Sequence, residues 1–286
     1  MVYPKRRRLY RLSIPRKNRR VKDMIEAGLG LYAISIPAAL LILFSVAEWL
    51  WPRSKRALPR KYRWLTHMLF FLTNAALGRL LALFVVVASA AAWADSYSFG
   101  LLHQTHWPLS LEAGLAFILL DLAVWVQHRA MHRLPVLWRI HKVHHSDRDL
   151  DTTTALRFHP FELLTSTIFK SACVTLLGVP VLVALAFELW LNCNALFNHS
   201  NIRLPRSMDR VLRMILVTPD MHLVHHSTDR SEQNYNYGFA LTWWDRLFGT
   251  YVYESAMGRD QQTIGLEEMA DDRPAHFFWS MKLPLT

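Results

Sequence analysis

Residues 27–51, AGLGLYAISIPAALLILFSVAEWLW, run apolar for 25 positions with one charge, Glu48, near their end. A stretch of that length suits a helix crossing roughly 30 Å of hydrocarbon. Inside hydrocarbon every backbone N–H and C=O must find its partner within the protein, which leaves helices or a closed barrel, and an unbroken apolar run selects the helix. Pro37 is expected to kink that helix or mark a local break. Further apolar stretches follow at 68–93, interrupted by Arg79, and at 109–127, which contains Asp121. The stretch 161–197 is split by Gly178, Val179 and Pro180 and reads as two short helices, 161–178 and 180–197, that turn back on each other. The expected fold is all-α: an integral membrane helical bundle, multi-pass, with four or five inserted helices. A mean hydropathy of +0.12 and 52% apolar residues agree with it.

Ten of the 33 Lys and Arg residues fall within residues 1–22, so the formal net charge of +11 is largely a property of that segment. Residues 1–26 are read as a basic N-terminal arm and 27–286 as a single membrane-embedded domain. No cleavable leader is expected, because the first apolar run is too long and Glu48, Trp49 and Trp51 mark an interface instead of a small-residue cleavage site. Arg53, Lys55, Arg56, Arg60, Lys61 and Arg63 claim the cytoplasm for the loop after that run, while the ten basic residues before it claim the same side. The loop is favoured, because two further crossings then bring the end of the 109–127 helix to the cytoplasm beside Arg129, Arg133, Arg139 and Lys142. The arm's charge then meets anionic lipid, and no nucleic acid is expected as a partner. Cys173 and Cys193 lie inside apolar stretches without C-x-x-C spacing, which rules out a secreted disulfide scaffold.

Ten of the fourteen histidines concentrate at positions 128, 132, 141, 144, 145, 159, 199, 222, 225 and 226. They include HRAMH at 128–132, HKVHH at 141–145 and HLVHH at 222–226. On a helix, positions i, i+3 and i+4 share a face, so each H-x-x-H-H is expected to aim three imidazoles, or at least its i and i+3 or i+4 pair, at one point. Imidazole ligates iron, zinc, copper and nickel. Eight histidines in these boxes exceed what one tetrahedral zinc takes, and thiolates are missing from the pattern, so two metals fit better than one. H-E-x-x-H and H-x-x-E-H do not occur, which removes the helix-borne zinc protease signatures. An all-nitrogen pair of redox-active ions suits activation of dioxygen for attack on a lipid C–H bond, and iron is the metal this reading takes. A His-rich membrane metal transporter and a zinc-dependent lipid hydrolase stay open as alternatives. His67, His103, His106 and His276 are read as structural.

These boxes, with RFHPFE at 157–162, FNHSN at 197–201 and NYNYGFALTWWDRLFGTY from Asn234 to Tyr251, resemble the fatty acid hydroxylase and sterol desaturase superfamily of membrane oxygenases. The resemblance covers about residues 115–251. It implies a cytoplasmic helical cap holding a polyhistidine diiron site that hydroxylates or desaturates a sterol, fatty acyl or related lipid with dioxygen and two electrons. Carried over motif by motif, His128, His132, His141, His144, His145, His222, His225 and His226 are implied metal ligands, with His159 and His199 as further candidates. Some relatives place histidines just before the position of His199, where this chain has Asn194 and Asn198. Residues 252–286 show no haem-pocket pattern, so electrons are expected from a separate donor protein, a cytochrome b-type protein, a ferredoxin or a reductase.

An outer carboxylate orients a ligating imidazole by accepting its other N–H. Asp121 lies seven residues before His128, near two helical turns, and either faces the metal or pairs with Arg79 or Lys170. Glu188, Asn192, Ala195 and His199 recur at helical spacing and either line the active cavity or leave Glu188 to neutralise Lys170. Asp220, two before His222, and the amides of Asn194 and Asn198 complete this outer set. Asp245 is expected in a salt bridge, and Trp138, Trp243, Trp244 and Phe248 at the membrane interface.

Overall fold

A computed structural model describes residues 19–81, 87–105 and 107–286, and every regular element among the described residues is helical. Helix α1 covers Arg19–Leu50 and stays one helix through Pro37, so no break occurs there. Residues 19–26 of the expected arm already belong to α1, while 1–18 lie outside the described residues. The stretch 68–93, read as one span, is described as two helices: α2 (Arg60–Leu81), which starts among the basic residues, and α3 (Val87–Ser96). Residues 82–86 of that span lie outside the described residues.

Helix α4 (Leu109–Arg133) runs past the apolar stretch that predicted it and carries HRAMH on its last turns. Leu134 separates it from α5 (Pro135–His145), where Pro135 occupies the first turn, a position whose N–H has no helical partner to lose. Helices α6 (Pro160–Leu177) and α7 (Val181–Asn198) form the expected hairpin. Gly178 ends α6 in the left-handed region at φ 69°, where a side chain would be strained, and its backbone touches that of Gly100 so closely that a β-carbon on either would collide. Of these helices, α4 and α7 are long and apolar enough to cross a membrane, and α1 contributes a shorter apolar stretch, Ile34–Leu50.

Helices α3, α4, α6 and α7 pack together around Leu120, Val124, Val174, Phe187 and Leu191. Short helices α8 (Arg206–Leu212), α9 (Pro219–His225), α10 (Arg230–Gln233), α11 (Trp243–Leu247) and α12 (Phe277–Lys282) follow, with α9 packed on α7, α10 on α9 and α12 on α2. A second apolar cluster of Phe70, Val143, Leu266 and Leu283 ties α2, α5 and the C-terminal segment together.

Of the basic residues after α1, Arg53, Arg56 and Arg63 turn inward, while Lys55 and Lys61 are exposed. Arg63 is wholly buried, 2.7 Å from Asp147 and 2.8 Å from Asp151, and Arg56 reaches Asp151 at 2.6 Å. Glu48 accepts the backbone N–H groups of Thr152 (2.6 Å) and Asn201 (2.8 Å). Arg56 and Arg63, two of the six charges that argued for loop orientation, are thus engaged by acids of the segment following α5, fastening α1 and α2 to the ends of α5 and α7. Breaking such a buried pair costs about 3–5 kcal/mol because one charge is left uncompensated. Both cysteines are free.

Candidate metal centre

The end of α4 presents His128 and His132 one turn apart, and α5 presents His141, His144 and His145. Helix α9 presents His222 and His225, its cap is His226, and His199 caps the end of α7. These imidazoles form two groups, one of His128, His132, His141, His145 and His225, the other of His144, His199, His222 and His226. One ring nitrogen from every member of a group lies within 4.8 Å of those from the others. Each H-x-x-H-H box is divided between the groups. In α5 the i and i+4 residues join the first group and His144 the second; in α9 the i and i+4 residues join the second group and His225 the first. Neighbouring residues on a helix are about 100° apart, so one box faces two adjacent centres.

Hydrogen bonds set which nitrogen faces inward. The Nδ1–H of His128 donates to the carbonyl of Tyr237 (2.7 Å), that of His225 to Tyr235 (2.8 Å) and that of His199 to Ala195 (2.7 Å). His141 donates its Nδ1–H to the Glu162 carboxylate at 2.7 Å. Each of these rings therefore presents a bare Nε2 lone pair to its neighbours. Yet the Nε2 atoms of His128 and His225 face each other at 3.0 Å, and those of His128 and His141 at 3.2 Å. Two acceptors at that separation repel unless a cation lies among them. Nε2 of His132 and both ring nitrogens of His145 are buried with no hydrogen-bond partner. The donor set therefore fits metal ions.

Burial, reinforced by the neighbouring imidazoles, pushes His144, His145, His222 and His226 well below the usual histidine range. Burial likewise takes His199 to about 4 and His225 to about 3. These rings are neutral near pH 7, the form that ligates a metal.

Of the ten histidines singled out from sequence, His159 alone joins neither group. It precedes Pro160 and caps α6, its Nδ1 accepting the Phe161 N–H (3.2 Å) and its Nε2 meeting the Met281 carbonyl (3.3 Å). His67 lies between Asp147 and Thr153, apart from both groups, and His106 lies outside the described residues.

The expected outer residues take other partners. Asp121 accepts from Trp244 Nε1 at 2.8 Å, because seven residues along α4 set it about 10 Å from the level of His128. That bond also buries Trp244, which was expected at the interface. Glu188 pairs with Lys170 (2.7 Å), and Asp220 pairs with Arg53 and Arg259, each at 2.5 Å. Asn194 donates to the Trp190 carbonyl and Asn198 to that of Phe239, both at 2.8 Å. Asp245 forms no ion pair among the described residues; it accepts from Trp125 Nε1, Thr250 Oγ1 and the backbone of Tyr237 and Gly238.

The residue that does orient a ring is Glu162, whose place in RFHPFE was its sequence signal. The carbonyls of Tyr235 and Tyr237 had none, since backbone groups carry no residue signature. Asn236 between them sits at φ 53° and its side-chain amide bonds Met221 and Val252, holding both carbonyls toward the histidines.

A family model described as fatty acid hydroxylase matches residues 113–250, a segment containing all nine grouped histidines. This segment, a little under half of the chain, is similar to the fatty acid hydroxylase family. The chain is similar to the ornithine lipid hydroxylase of Rhizobium tropici, 32% identical over 51% of this chain and 43% of that protein. The alkylglycerol monooxygenase of Homo sapiens is 30% identical over 49% of this chain and 30% of its own length. The cholesterol 25-hydroxylase of Homo sapiens is 30% identical over 62% and 65%. The chain thus spans less than two thirds of the length of each of these relatives. No solved structure matches it.

Beside the histidines of this fatty acid hydroxylase segment lies a cavity of about 190 Å³ between α4, α6 and α7. His128, His141, His144, His199 and His222 open onto it, drawn from both groups, and Val124, Met131, Phe158, Leu163, Leu191 and Phe239 make its apolar wall.

Proposed function

We propose that the chain is a membrane-bound diiron oxygenase that hydroxylates an aliphatic C–H bond of a lipid. The observation that carries this reading is the pair of adjoining all-imidazole groups, with rings from both lining one apolar cavity. Nine nitrogen donors in two groups suit two ions of a redox-active metal better than a single tetrahedral zinc. His128, His132, His141, His145 and His225 would hold one ion, and His144, His199, His222 and His226 the other. Iron at these positions supplies dioxygen activation and two-electron oxidation of a carbon centre.

The chain's own residues supply position and dryness. Glu162 and the carbonyls of Ala195, Tyr235 and Tyr237 fix four rings with Nε2 inward, so the ligand geometry exists before a metal arrives. Leu163, Leu191 and Phe239 exclude water and admit a hydrocarbon segment to the imidazoles. In this reading α4 and α7, long and apolar enough to cross a membrane, enter the bilayer and end at the histidines, and the centre sits at the membrane surface on the cytoplasmic side. The relatives, two hydroxylases and a monooxygenase, favour hydroxylation over desaturation. The two electrons come from a separate donor protein.

The test is lipid profiling of a host with and without the protein, grown under isotopically labelled dioxygen. A lipid gaining one labelled oxygen atom only when the protein is present supports the assignment. Lipid turnover that continues under strict anaerobiosis would overturn it in favour of hydrolysis.

A further inference from the structure

The cavity beside the histidines changes character along its length. Helix α6 lines it with Glu162, Ser166 and Lys170 at i, i+4 and i+8, one face of the helix extending about 12 Å. Glu162 bonds His141 at the imidazole end. Lys170 marks the other end, where its ammonium meets Glu188 of α7 at 2.7 Å. Asn192, also lining the cavity, is exposed at its rim, and its Nδ2 donates to the Glu188 carbonyl at 2.9 Å, leaving Oδ1 as an acceptor. Both helices are apolar there, and ionisable groups in such a setting are costly unless paired or put to use.

We propose that Lys170, Glu188 and Asn192 form a polar station that holds an uncharged hydrogen-bonding group of the substrate, a hydroxyl or an amide. The hydrocarbon part of the same molecule then runs toward the imidazoles. This rests on the lipid oxygenase reading and narrows it to lipids whose polar group lies about 12 Å from the oxidised carbon, the axial distance from Lys170 to Glu162. Charge selects the class. Lys170 is already balanced by Glu188, so a carboxylate or phosphate would meet Glu188 as a like charge and an ammonium would meet Lys170. A hydroxyl or amide donates to Asn192 Oδ1 and accepts from a remaining Lys170 N–H without disturbing the pair.

The experiment is native mass spectrometry of the full chain in detergent with hexadecanol, hexadecanamide, hexadecane, hexadecanoate or hexadecylamine. The alcohol and amide should be retained about tenfold better than the other three, the ratio that one well-made hydrogen bond supplies. Asn192→Leu, at an exposed position, should weaken that preference, and the paired Lys170→Met and Glu188→Met change should erase it with helix content unchanged by circular dichroism. Equal retention of all five probes, tighter binding of hexadecanoate or hexadecylamine, or a preference that survives both variants would each overturn the proposal. Because the readout is binding, an inactive oxygenase leaves the test intact, and lipid oxidation that persists alongside a failed test removes the polar station alone.

Discussion

The Glu162 carboxylate accepts the Nδ1 proton of His141 at 2.7 Å, reaching from the first turn of α6 to the middle of α5. Removing an outer partner of this kind typically costs 10–100-fold in metal affinity. Glu162→Gln keeps the shape and loses the charge, so iron binding measured against a competing chelator should weaken by about that factor. An unchanged dissociation constant would mean that His141 is oriented by something else.

His144 and His145 are adjacent but serve different groups. Metal analysis of the purified His144→Ala and His145→Ala variants should each show a fall from about two ions per chain to about one, with distinct spectroscopic signatures for the ion that stays. His144→Ala is also expected to abolish lipid oxidation while the protein remains in the membrane. Full activity in that variant would contradict its assignment.

Arg63 is enclosed by Asp147 and Asp151 with no access to water. Arg63→Met removes the cation and leaves Asp147 with His67 and Asp151 with Arg56 as their remaining partners, so stability should drop, by up to about 3–5 kcal/mol. Thermal unfolding in detergent reads this directly, and a melting temperature equal to that of the wild type would show the network to be energetically idle.

Burial alone would raise the Asp151 carboxyl, but the charges of Arg63, His67 and Arg56 outweigh it and hold the group below its ordinary value of 3.8. A carboxyl depressed on folding binds fewer protons than its unfolded counterpart. Its contribution is therefore present above about pH 4 and lost as pH falls further toward the folded value. Asp151→Asn should be less stable than the wild type at neutral pH, and the gap should shrink on acidification below about pH 4. A gap that stays constant with pH would exclude this linkage.

Gly178 combines positive φ with backbone contact to Gly100. Gly178→Ala introduces strain and collision at once, and should lower stability by at least about 1–2 kcal/mol. Gly258, at φ 81° with nothing near it, is the control: its alanine variant carries only the conformational cost.

Much of this was readable from residues alone because the signals were local. Apolar stretches gave the cores of α1, α4, α6 and α7, and helical periodicity gave the i and i+4 pair of each H-x-x-H-H box, but not the split that sends His144 and His225 to the other group. His199 stood out within FNHSN. The outer partners were not legible, because they depend on which segments meet. Asp121 has the spacing to serve His128, yet Trp244 from α11 claims it. Asp220 has the proximity to serve His222, yet Arg53 and Arg259 take it. Carbonyl acceptors such as Tyr237 carry no side-chain signature at all. The α2 boundary was missed for a related reason: Arg63 looked like a solvated loop charge, and only its burial against Asp147 and Asp151 makes it part of a helix.

The division of both H-x-x-H-H boxes also governs how the centre fills. Since α5 and α9 each lend rings to both groups, the first ion captured clamps the two helices against each other and arranges most of the second set before it is loaded. Uptake should accordingly be cooperative, with singly occupied molecules scarce throughout a titration.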